Sequence, residues 1–143
     1  IAEPPMLPDE PQGRARMREI SRFHDTRLEP LLRAYFAHVS PNTRDHDFVT
    51  SNTAVLQKRL DQLDKLTNPA PLIYGSQLTI ADCGFVATFA IINTLRDIFG
   101  FDLVLPEALQ AYESALVAHP SVAAESATYL NALSTWVDTK LTG

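Results

Sequence analysis

Leu78-Thr79-Ile80-Ala81-Asp82-Cys83-Gly84-Phe85-Val86-Ala87-Thr88-Phe89-Ala90-Ile91-Ile92 is the stretch on which the fold turns. Wound as a helix it is apolar on almost every side, and such a helix belongs in the middle of a bundle. Thr79 suits the N-cap, because its hydroxyl can accept from the backbone of Asp82 while the Asp82 carboxylate reaches back to the Thr79 amide, as in a capping box. A carboxylate in the first turn also meets the positive end of the helix dipole. Leu78, Thr79 and Asp82 are therefore read as structural capping residues.

Upstream, four prolines in residues 1–12 (Pro4, Pro5, Pro8 and Pro11) remove backbone donors and favour extended chain, so this stretch is read as a linker from a preceding domain. From Arg14 onward Met17, Ile20, Phe23, Leu28, Leu31, Leu32, Tyr35, Phe36 and Val39 recur mostly at spacings of three and four, predicting one long helix. Pro30 cannot donate to the Thr26 carbonyl, so a bend is expected there, and Ser40-Pro41-Asn42 marks the stop. A second helix is expected over 43–66, with Val49, Leu56, Leu60, Leu63 and Leu66 on one side, ended by Asn68-Pro69-Ala70-Pro71. Downstream of the central helix, a short extra turn is expected near 98–104. Pro106 is placed in the first turn of a helix carrying Leu109, Tyr112, Leu116 and Val117. After His119-Pro120 a last helix over 121–140 should turn Val122, Leu130, Leu133, Trp136 and Val137 toward a core. The expectation is an all-α bundle of about five helices in one domain, residues 13–143.

Composition agrees. The 143 residues are 45% hydrophobic with five glycines, too few for a sandwich of many short strands and their turns. A formal charge of −5 argues against nucleic acid and anionic membrane as partners. No apolar run reaches the roughly 20 residues that span a bilayer. The start Ile1-Ala2-Glu3-Pro4-Pro5 lacks the zones of a signal peptide, and a cut end is expected there. The single cysteine, Cys83, cannot form an internal disulfide and fits a reducing cytoplasm.

The segment Gly75-Ser76-Gln77-Leu78-Thr79-Ile80-Ala81-Asp82-Cys83 resembles the G-x-x-x-[ST]-x-A-D pattern that opens the central helix of the glutathione transferase C-terminal domain. Leu56-Gln57-Lys58-Arg59-Leu60-Asp61-Gln62-Leu63-Asp64 resembles the helix before it. His119-Pro120-Ser121-Val122 resembles a later helix junction, and Arg14-Ala15-Arg16-Met17-Arg18 resembles the family's opening helix. The likeness covers nearly the whole chain after residue 12. It implies a homodimeric parent enzyme in which a separate thioredoxin-like domain binds glutathione, the co-substrate, and carries the Tyr, Ser or Cys that activates its thiol. No catalytic residue is then expected in this chain. The resemblance also implies that the first half of the opening helix borders the pocket for a small electrophile, which makes Met17, Ile20, Phe23 and His24 the substrate-side residues. The same helical fold resembles protein-interaction modules appended to translation factors and synthetases, a non-catalytic alternative.

The remaining polar features read more plainly. Cys83 sits on an apolar helix with no His near it in sequence and is read as an inert core thiol. Arg14, Arg16, Arg18, Arg22, Arg27 and Arg33 put half of the twelve basic residues on the first helix, as a solvated face paired with Glu19, Asp25 and Glu29. His38, Asp45, His46 and Asp47 lack any repeated metal-ligand spacing and are read as a solvated helix start. No P-loop, dinucleotide fingerprint or G-x-S-x-G is present.

Overall fold

The computed structural model describes residues 6–142, which form α1 (Pro11–Phe23), a π-helical turn (His24–Leu28), α2 (Glu29–Ala34), α3 (His46–Thr67), α4 (Ile80–Phe99), α5 (Glu107–Ala118) and α6 (Pro120–Thr142). The first three run on into a 3-10 turn (Tyr35–His38) as one rod. The architecture is thus the expected all-α bundle of five rods, with only isolated bridges at Leu72–Gly75 and Tyr74–Gln77 among the described residues.

The first rod begins three residues before Arg14. Pro11 occupies the first turn, where its missing N–H would have found no intrahelical acceptor anyway. Residues 6–10 ahead of it are pinned: Ile80 N–H donates to the Met6 carbonyl at 2.9 Å, Tyr74 Oη donates to Glu10 Oε1 at 2.5 Å, and Leu7 packs on the core. The bend expected at Pro30 takes the form of the π turn, in which Glu29 N–H reaches back five residues to the His24 carbonyl. The widened ring makes room for the proline without breaking the rod.

α3 starts one turn later than a beginning at residue 43, because Asp45 caps it by accepting from Phe48 N–H at 3.0 Å. It ends at Asn68, whose left-handed backbone (φ 51°) closes the last turn. α4 lies centrally, against α1, α2, α5 and α6. Phe85, Phe89, Ile92 and Leu95 on α4 pack with Tyr35, Leu60 and Tyr112 in the core, each such burial stabilising by about 1.5–3 kcal/mol.

Three expectations need correcting. No helical turn extends past Phe99; residues 100–105 run without helix, Gly100 taking a left-handed cap (φ 63°). Leu103 and Leu105 enter the core there, and Gln57 clasps Val104 through both its amide atoms, at 2.8 and 2.9 Å. Pro106 stands just outside α5 as its N-cap, and Val117 is 50% exposed rather than sharing the buried side of Leu109, Tyr112 and Leu116. α6 is the largest departure: Val122 is its one buried residue, Leu133, Trp136 and Val137 are half-buried, and Leu130 is 49% exposed. The helix is fastened at its start and by the Trp136 ring, 4.9 Å from Phe36, and grooves run beneath it elsewhere.

Candidate functional site

The opening of α4 is built as the capping box requires. Asp82 Oδ2 accepts from Thr79 N–H at 2.8 Å, and Thr79 Oγ1 accepts from Ala81 N–H at 3.3 Å. The Thr79 hydroxyl proton lies within reach of Asp82 Oδ2 (2.9 Å) and Met17 Sδ (3.3 Å), and the charged oxygen is the stronger acceptor. The other Asp82 oxygen accepts from Tyr112 Oη at 2.9 Å and Ile73 N–H at 3.3 Å. Asp82 and Thr79 are fully buried, so this cluster ties α4 to α5 and to the preceding loop. Burial, and then the neighbouring carboxylate, push the Tyr112 hydroxyl far above the ordinary tyrosine range. Every group here is satisfied internally, which is the structural role expected of Thr79 and Asp82. Leu78, also expected to cap, packs half-buried against the core beside them.

A second polar cluster does face a cleft. His24 opens the π turn, is buried, and uses both ring nitrogens: Nδ1 pairs with Asp25 Oδ1 at 2.8 Å and Nε2 with Thr88 Oγ1 at 2.7 Å. With Nδ1–H donating to the carboxylate, Nε2 is left as acceptor for the Thr88 hydroxyl. The ring stands edge-on to Phe85, centroids 5.0 Å apart, and directly over Gly84, where a Cβ would fall 2.5 Å from Cε1. Glycine is needed at that crossing because no side chain fits beneath the imidazole.

His24 and Thr88 form a polar floor in a groove of about 470 Å³ between α2, α4 and α6, walled mainly by Leu32, Phe36, Ile91, Leu133 and Trp136, with Glu29 and Arg33 at hand. The volume lies in the range of small-molecule sites. An imidazole oriented by a carboxylate can offer a fixed hydrogen bond to a bound molecule once Thr88 gives way. Both its nitrogens are otherwise engaged, so it is no free base.

Of the four residues expected to border an electrophile pocket, His24 alone is in this groove's wall. Met17 and Ile20 lie on the same inner side of the rod but deep in the core, at 1% exposure, and Phe23 packs half-buried beside them. Asp25 pairs with His24 rather than with an arginine. On the basic face Arg16 pairs with Glu19 at 2.6 Å and Arg33 with Glu29. Arg16 also donates to the Leu66 carbonyl.

Cys83 corrects the expected core thiol. It points outward and is exposed, Sγ 3.5 Å from the Thr79 carbonyl, beside a smaller groove of about 320 Å³ lined by Leu78, Val86, Val122 and Tyr129. Partial burial, then Asp82, push its pKa up, which disfavours the nucleophilic thiolate. Near α3, His38 stacks on Phe48 at 4.2 Å. Among the described residues no group of three or more His, Cys, Asp or Glu is arranged to hold a metal ion. None of the helices among these residues is both long and apolar enough to cross a membrane.

Fold and site together define a helical bundle whose central, capped helix floors an apolar groove. The chain matches no protein-family model and no curated protein.

Proposed function

We propose that this chain is the helical half of a glutathione transferase-like enzyme, in which it forms the apolar wall of the electrophile pocket. A separate thioredoxin-like domain binds glutathione and lowers its thiol pKa. The observation that carries the reading is the pairing of the capped Gly75–Cys83 segment, the residues of the family resemblance, with the groove that the same helix floors through Gly84, Ala87, Thr88 and Ile91. Apolar walls suit a hydrophobic electrophile, and the His24–Thr88 floor supplies a polar contact to orient it. Homodimer formation and a cytoplasmic setting belong to the same proposal.

The division of labour follows from thiol chemistry. A free thiol with a pKa of about 8.5 is only slightly ionised at neutral pH, and burial and then Asp82 push the one thiol here further up. The test is conjugation of glutathione to a chromogenic aryl halide, comparing the isolated chain with the natural polypeptide. The isolated chain should show no turnover above the uncatalysed reaction. Turnover at the natural protein's rate would end the proposal.

A further inference from the structure

Arg44, outside the His24 groove, is poorly satisfied. It follows a 3-10 turn (Pro41–Thr43) and lies over the Phe99 ring, its guanidinium carbon 5.1 Å from the centroid. Nη2 donates to the Val39 carbonyl at 2.9 Å, while Nε is sealed from solvent with no acceptor. None of the ion pairs among the described residues includes Arg44. A guanidinium carries five donors and keeps its charge; with Nε closed to solvent and no carboxylate among the described residues within ion-pair distance, it is the terminal nitrogens that are left to meet an anion.

The same side chain stands in the wall of a cleft of about 520 Å³ whose other surface is largely Ile98, Leu130, Leu133, Val137 and Leu141. Leu130 and Leu141 are among the most exposed large apolar residues of the chain. One cation at the side of an aliphatic trough is complementary to a ligand with one negative charge and a hydrocarbon tail. Asp97 shares the wall, which favours a monoanion over a phosphate dianion. The overall charge of −5 opposes an anionic lipid surface.

We propose that the cleft between the Pro41–Thr43 turn, the end of α4 and the second half of α6 binds a free aliphatic carboxylate. Arg44 takes the carboxylate, and Ile98, Leu133 and Val137 bear the tail. Because α6 is tied down mainly at its start and at Trp136, it can settle onto the tail without disturbing the core.

Trp136, the single tryptophan, lies in the wall of the neighbouring His24 groove, beside Leu133, which lines both, so its emission is assigned to this cleft only where Arg44→Gln diminishes the response. Its emission should change saturably with decanoate kept below micelle-forming concentrations and remain unchanged with acetate. 1-Decanol should bind at least tenfold more weakly than decanoate. Arg44→Gln should lose at least tenfold in decanoate affinity, and Asp97→Asn should gain. Equal binding of decanol and decanoate to the unmodified chain overturns the proposal, as does unaltered affinity in a folded Arg44→Gln variant. Should that variant fail to fold, the decanol comparison and Asp97→Asn decide. A response to anionic vesicles but not to decanoate would assign the cleft to a membrane surface instead, and would also overturn it.

Discussion

Asp82 shows how far a local pattern carries at the scale of one residue. Its bond to the Thr79 amide spans three positions and is legible in the sequence, since capping geometry is set by adjacent turns. Its bond to Tyr112, thirty residues away, is not, because only the packing of α4 on α5 brings the two together. Asp82→Ala would strand buried donors at Ile73, Thr79 and Tyr112, and a urea melt at pH 7 should show a loss of about 3 kcal/mol or more. Tyr112→Phe removes one partner and should cost about 1–2 kcal/mol. The raised Tyr112 pKa also fixes a pH dependence. Above about pH 10 the unfolded tyrosine releases its proton while the folded one keeps it, so the native state binds more protons and stability falls as pH rises. Tyr112→Phe should flatten that fall between neutral pH and pH 11; an unchanged slope would mean that the buried hydroxyl is not its source.

Elements differ in how plainly their sequences mark them. Pro30 announces an interruption of the first rod, yet the π turn that absorbs it, and the buried His24 it presents, depend on the crossing with Gly84, sixty positions on. Gly84→Ala should displace the imidazole and cost about 1–3 kcal/mol, with the His24 ring resonances shifting in NMR. Native-like His24 resonances and an unchanged melt would contradict the close crossing. For α6 the apolar residues suggested a core-facing helix, but a pattern records only that a face is apolar, not that anything covers it. Leu130 and Leu141 remain exposed, and the helix buries little beyond Val122. Amide hydrogen exchange over residues 125–141 should therefore be faster than over 85–95 on α4 by orders of magnitude, since opening α6 breaks few buried contacts. Equal protection of the two helices would show that α6 is held more firmly than its packing indicates.

For the molecule as a whole, the all-α bundle was legible because each of its five rods carries an apolar stripe or, in α4, an all-round apolar core sequence. The groove was not, since it is made of residues from α2, α4 and α6 that no spacing rule connects; His24 is the one wall residue that the family resemblance marks as substrate-side. Outside the Arg44 cleft, Val104 at 68% exposure and Val117 at 50% remain uncovered, as expected where another domain or another copy would pack under the proposed function. Light scattering of the isolated chain should accordingly show mass rising with concentration, and a strict monomer throughout would count against such a surface. The proposal that this chain is one half of a transferase is tested most directly by the intact mass of the natural polypeptide. It should exceed 15.9 kDa by roughly one small domain, on the order of 100 residues. A natural mass near 15.9 kDa would contradict it and leave a helical domain acting alone.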